Sequence, residues 1–194
     1  TPNVEARNPR YDEPHVDVVA PDVGTGPPEM QAFVDALWED HGETARLAAT
    51  GKPLDAGGLE VRDGATAAGA EIALEAAAER SGCPAQRVSI QGFGSLGRGL
   101  AERLTRPGRD HPCDDDHVVV AVSDSSGTVH DPDGLDIAAV GAAKDDAGSF
   151  ADAGLVDPDA DALTVDCDVV VPAALEGAID CDVAASTTAA IVVE

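Results

Sequence analysis

The sequence predicts an α/β fold, a doubly wound parallel sheet covered by helices, and three observations carry that expectation. From Arg87 onward, short apolar runs alternate with stretches of helical character. The run Val118-Val119-Val120-Ala121-Val122 has the unbroken apolar character of a strand buried on both faces. Between a strand at Arg87–Gln91 and the helix after it stands Gly92-Phe93-Gly94-Ser95-Leu96-Gly97, a glycine pattern that gains meaning in a strand–turn–helix junction.

Taken in order, residues 1–14 are polar and broken by Pro2, Pro9 and Pro14. Val16, Val18 and Val19 read as a short strand closed by Pro21. Pro27 and Pro28 suit a first helical turn, where a missing N–H costs nothing. Met30, Phe33, Val34, Leu37 and Trp38 then fall on one helical face and are expected to pack a core. A Gly-rich loop, Thr50 to Gly64, leads to an Ala-rich helix over 65–80, with Gly82 at its C-cap. The strand carrying Val88 and Ile90 follows, then the glycine turn and a helix ending near Leu104. A polar stretch, 105–117, precedes the strand at Val118. Strands at 169–171 and 190–193 and helices at 136–143 and 173–179 continue the alternation.

Charge narrows the partners. Against 37 Asp and Glu stand 12 Lys and Arg, a formal charge of −25 in 194 residues. Phosphate contacts need a basic patch that this chain cannot assemble, so nucleic acid is excluded as a partner. Apolar residues reach 43%, enough for a core, while aromatics supply only 3%, so Ala and Val must fill it. No apolar run approaches the ~20 residues of a membrane span, and no basic-then-apolar leader is visible, so a cytoplasmic protein is expected. The acids are spread along the chain, and Lys52 and Lys144 are its only lysines. That composition resembles cytosolic proteins of extreme halophiles, in which salt screens self-repulsion.

Metal chemistry finds little support. Cys83, Cys113, Cys167 and Cys181 have no C-x-x-C spacing and are expected to be reduced thiols. Cys113 and His117 flank Asp114-Asp115-Asp116, a solvated loop on this reading. Asp157, Asp159 and Asp161 open like a calcium loop, but Ala162 replaces the turn glycine and Asp168 the bidentate Glu. No metal is expected.

The glycine turn points to a dinucleotide. Gly92 permits the tight turn, Gly94 lets backbone approach a pyrophosphate, and Gly97 lets helix and strand pack closely. Ser95 and Leu96 open the helix whose N-terminal N–H groups face the phosphates. An acid at the end of the next strand reads the ribose, usually about 20 residues on. Asp124 fills that place 32 residues after Gly92, the polar stretch 105–117 accounting for the delay. A carboxylate there repels a 2′-phosphate and favours NAD, although Ser123 and Ser126 leave NADP open.

Five ordered blocks resemble the glutamate dehydrogenases. They are Val19-Ala20-Pro21-Asp22-Val23-Gly24-Thr25-Gly26, Thr50-Gly51-Lys52-Pro53-Leu54, Ile90-Gln91-Gly92-Phe93-Gly94, Ala121-Val122-Ser123-Asp124-Ser125 and Pro172-Ala173-Ala174-Leu175-Glu176. The T-G-K-P and G-F-G blocks favour glutamate dehydrogenase over its leucine, phenylalanine and valine relatives. The resemblance implies a Rossmann-like cofactor domain and NAD-linked oxidative deamination of L-glutamate to 2-oxoglutarate and ammonia. It makes Asp22 the catalytic proton shuttle, places Thr66 near the nicotinamide, and lays Ala173 and Ala174 along the cofactor with the turn Gly92, Phe93, Gly94. It implies an oligomer, typically a hexamer. It divides the chain into residues 1–45, the edge of a substrate and dimerisation domain with a connecting helix, and 46–194, the NAD-binding domain cut short at its C-terminal end.

The sequence also departs from that pattern. Ala67 follows Thr66 where the family has Gly, and Gly177 stands where relatives often carry Asn. The family's substrate-holding lysines precede the Asp, and this chain has no lysine before Lys52. An incomplete stretch of a longer enzyme, inactive alone, is the expectation. The alternative is a truncated paralogue that binds nucleotide or joins intact subunits without catalysis.

Overall fold

A computed structural model of the chain describes residues 6–7, 14–15, 18–22, 24–59, 64–82, 86–107 and 117–194. The chain forms two compact units, 1–63 and 64–194. Val16, Cys83, Cys113 and the acidic triplet 114–116 lie outside the described residues.

In the first unit β1 (Ala6–Arg7) pairs antiparallel with β2 (Pro14–His15). Val19 makes a single parallel bridge to Ala49, where the sequence reads as a strand, and Val18 beside it is exposed. Helix α1 (Pro27–His41) starts at Gly26, with both prolines in its first turn. It buries Met30 and Val34 against Ala45 and Ala49, with Phe33 and Leu37 partly covered. A 3-10 helix, Gly42–Ala48, follows.

The second unit is a five-stranded sheet with helices. Its elements are α2 (Ala65–Ser81), β3 (Arg87–Gln91), α3 (Ser95–Leu104), β4 (Val118–Asp124), β5 (Gly127–His130), α4 (Ile137–Ala147), β6 (Val169–Pro172), α5 (Cys181–Ser186) and β7 (Ile191–Val192). Strand order is β5-β4-β3-β6-β7, with β5 alone antiparallel to its neighbour. The chain leaves β3 toward β4 and later returns on the other side as β6, so the order reverses between β3 and β6. Such a reversal opens a crevice at the carboxyl ends of the strands. Mostly aliphatic side chains fill the core on both faces. Val88, Ile90, Leu100, Val119 and Phe150 belong to one cluster, and Val120, Leu163, Cys167 and Val170 to the other. Burial pushes the Cys167 thiol up to about 11, which keeps it protonated.

Three elements differ from the sequence reading. Strand β5 is a hairpin partner that the apolar pattern does not announce, because four residues with one apolar side chain carry no period. Helix α4 runs on to Ala147, held by an Asp136 carboxylate at its start and by left-handed Gly148 at its end. The expected helix over 173–179 is absent: Ala173 donates its N–H to the Gln91 carbonyl instead, and the next helix starts only after Asp180, whose side chain caps it. Asp157 and Asp161 accept N–H bonds from Asp159 and Leu163, closing turns in their own loop.

Candidate functional site

The glycine turn lies at the carboxyl end of β3, beside the start of the loop that follows β6. Gly92 has a φ of +99°, a region that favours glycine, and an added Cβ would stand 2.9 Å from the Ala173 carbonyl oxygen and 3.1 Å from the Ala174 Cβ. A Cβ on Gly97 would collide with the Gly92 carbonyl and with Ile90, so α3 approaches β3 as closely as backbone allows. A Cβ on Gly94 would meet nothing within 4 Å. Thus two glycines are filled in by the fold and the third borders open space.

That open space adjoins the start of α3, where Gly94 is the N-cap and no side chain caps the helix. The first-turn N–H groups of Ser95, Leu96 and Gly97 have no intrahelical acceptor, and Gly94 and Ser95 are exposed. Uncapped donors with a positive dipole end suit an anion such as a pyrophosphate. Phe93 contributes through its backbone, since its ring is 5% exposed and packs 5.3 Å from the Phe150 ring. Leu96 is partly buried against the same core. The Gly92 N–H points to the Ser123 hydroxyl at 3.3 Å, which ties the turn to the end of β4.

Asp124, the last residue of β4, is fully engaged. One carboxylate oxygen accepts from the Ser126 N–H at 2.8 Å and hydroxyl at 2.6 Å. The other accepts from Lys144 Nζ at 2.8 Å and the Phe150 N–H at 3.1 Å. Burial works to raise its pKa, but the bonds from Lys144, Ser126 and Phe150 prevail and hold it at about 2. Lys144 also lies over the Phe150 ring at 4.6 Å. Sequence reasoning missed Lys144 as a site residue, because nothing local to its helix marks Asp124 as its partner.

Thr66 stands exposed in the first turn of α2, next to buried Ala67. A Cβ on Gly99 of α3 would come 3.0 Å from the Ala67 Cβ. The alanine that departs from the family pattern is thus matched by a glycine on the facing helix. The structure brings together Gly92, Phe93, Gly94, Ser95, Leu96, Gly97, Ala173 and Ala174, with Asp124 at the neighbouring strand end. Asp22 belongs to the first unit. It is exposed there in a turn where its N–H donates to Thr25 Oγ1 at 2.7 Å and the Thr25 hydroxyl donates back to its carbonyl at 2.9 Å.

Comparison with known proteins agrees with this architecture. The chain is 41% identical over 184 residues to NADP-specific glutamate dehydrogenase A1 of Halobacterium salinarum, covering 92% of this chain and 42% of that protein. It is 34% identical over 186 residues to NAD-specific glutamate dehydrogenase A of the same organism, covering 93% of this chain and 40% of that protein. A solved hetero-hexameric glutamate dehydrogenase from Thermus thermophilus, in a Leu-bound form, superposes with a TM-score of 0.76 at 36% identity, over 92% of this chain and 41% of that one. The chain therefore spans about two fifths of the length of these relatives. A family model for Glutamate/Leucine/Phenylalanine/Valine dehydrogenase matches residues 57–194. The fold is Rossmann-like, and the chain belongs to the Glutamate/Leucine/Phenylalanine/Valine dehydrogenase family.

Proposed function

We propose that this chain forms the dinucleotide-binding part of an NAD-dependent glutamate dehydrogenase that interconverts L-glutamate with 2-oxoglutarate and ammonia, NADP remaining an alternative cofactor. One observation carries the reading: the space beside Gly94 opens onto the uncapped start of α3, while Gly92 and Gly97 are packed against backbone. The residues fit a dinucleotide. Backbone N–H groups of the turn and of α3 would hold its pyrophosphate, with Ala173 and Ala174 beside the turn. A bound nicotinamide dinucleotide supplies the hydride acceptor for the substrate Cα–H. Asp22 holds and returns a proton at its carboxylate, serving the amino nitrogen and the attacking water, and Thr66 sits toward the nicotinamide. Names of the relatives support glutamate as substrate, and the hetero-hexamer named for the Thermus protein supports an oligomer, which we take to be a homo-oligomer. Acidity and the Halobacterium relatives support a cytoplasmic setting at high salt.

Calorimetric titration of the full chain with NAD in molar KCl tests the proposal, binding being the expected result. Absence of binding, or binding unchanged in Gly94→Val, overturns it. Residues 1–194 alone are expected to show no glutamate-dependent NAD reduction, because a substrate with two carboxylates needs cations that the family supplies before the Asp. In an enzyme that carries this chain and turns over glutamate, Asp22→Asn is expected to remove most of kcat, since an amide cannot exchange the proton. An unchanged kcat would strip Asp22 of its role.

A further inference from the structure

Helix α3 is tied to two other helices by arginine. Arg103 Nε donates to a Glu71 carboxylate oxygen on α2 at 2.6 Å, and Arg98 reaches α4. The Arg98 contact is a fork: Nη1 donates to Asp145 Oδ1 at 2.7 Å and Nη2 to Asp145 Oδ2 at 3.0 Å, while Nε donates to Glu102 at 2.9 Å. A bidentate pair fixes direction as well as distance. The guanidinium also lies 6.0 Å from the ring of Phe93, the middle residue of the glycine turn. Helix α4 leaves room for it. A Cβ on Gly141 would stand 3.2 Å from Arg98 Nη2 and 3.4 Å from its Cζ. Gly141 lies inside α4, where alanine is the better helix former, so its helical backbone gives no reason for glycine and the guanidinium does. The Arg98 backbone N–H donates to the Gly94 carbonyl at 2.9 Å and so closes the first turn of α3. One residue thus closes the turn that carries the open donors of Ser95, Leu96 and Gly97, and pins it to α4.

Resting on the dinucleotide reading, we infer that Arg98 is a positioning residue for the cofactor: its fork to Asp145, seated in the space that Gly141 leaves, holds Phe93 and the first turn of α3 where the open N–H donors meet a pyrophosphate. Arg98 acts through the backbone, because its Nε, Nη1 and Nη2 are each given to a carboxylate oxygen. The pair is open to solvent, with side chains 35% and 58% exposed, so it adds little to global stability. Its effect is expected in binding, where a site displaced by about 1 Å performs far worse.

The test titrates the full chain with NAD and with ADP in molar KCl, beside thermal melts. Asp145→Ala is the decisive variant. Alanine favours the helix, and an acid leaves its last turn, so Tm is expected to hold within about 4 °C. By charge alone, losing an acid would tighten the binding of an anion. A positioning role predicts the opposite sign, about tenfold weaker binding of both ligands. Arg98→Met should give the same loss, and molar KCl screens charge effects beyond about 3 Å, so that loss too reports position. The double variant should lose no more than either single one, since each removes the same fork. Should Asp145→Ala fail to fold, Arg98→Met decides on the same readouts. Affinity unchanged or tightened in a folded variant overturns the inference while the dinucleotide reading stands. Failure of wild type to bind either ligand overturns both.

Discussion

Two glycine-headed helices in this chain share a local grammar yet differ in what their N-termini offer an anion. Helix α1 follows Asp22-Val23-Gly24-Thr25-Gly26, and α3 follows Gly92-Phe93-Gly94; each has glycine at its N-cap. At α1, Pro27 and Pro28 remove two of the free N–H donors, and the Glu29 carboxylate accepts the Gly26 N–H at 2.7 Å. The end is already occupied by the chain's own acid. At α3 no proline or carboxylate intervenes, and the donors remain open. Glycine before a helix is therefore not what makes a phosphate site. What the next three residues do with their N–H groups decides it.

The comparison can be broken most severely at Gly97. Valine there must displace the Gly92 carbonyl, so Gly97→Val is expected to cost at least about 3 kcal/mol, read as a lowered Tm, and to lose NAD binding with it. Gly94→Val is the sharper variant. Its backbone at φ −91° is open to any residue, so stability should change by no more than about 1 kcal/mol while NAD binding disappears. Equal Tm losses in the two variants would mean that both glycines are structural.

A pH titration probes the strand end beside the turn. Asp124 has a folded pKa of about 2 against an ordinary value of 3.8, so its ionised form stabilises the fold. That contribution, about 2 kcal/mol, is complete above the ordinary value and is lost as pH falls through about 2. Denaturant melts of wild type and Asp124→Asn should differ most near neutrality and converge toward the acid end. The smallest effect belongs to α1. Glu29→Ala should cost about 1 kcal/mol by freeing one N–H, yet create no phosphate affinity, because the prolines still lack donors. Phosphate-dependent stabilisation of that variant would undo the contrast between the two helices.

How far the sequence could be read followed physical rules. Strand β4 and the turn after β3 were legible because long apolar runs and fixed glycine spacing are local signals. Proline placement told where α1 begins for the same reason. The segment after Pro172 reads as helix by propensity, but Ala173 is claimed by the Gln91 carbonyl, a partner 82 residues away that no local window contains. Asp124 was found by its place at a strand end. That Lys144 answers it from 20 residues downstream could not be, since one lysine on an Ala-rich helix has no pattern to betray it.

The central position of β3 also fixes the order in which the second unit can be completed. Its bridge to β4 closes a loop of 31 residues, at the Gly92 N–H to Ser123 bond. Its bridge to β6 closes one of 81, at the Arg87 N–H to the Asp168 carboxylate. By loop-closure entropy the longer one costs about 0.9 kcal/mol more, and non-local pairing is slow. The half of the crevice bearing Gly92 is therefore expected to form before Ala173 and Ala174 arrive, so a refolding chain completes its cradle in a later step. A ligand that touches both walls would report the end of folding, where a probe of β3 and β4 reports its beginning.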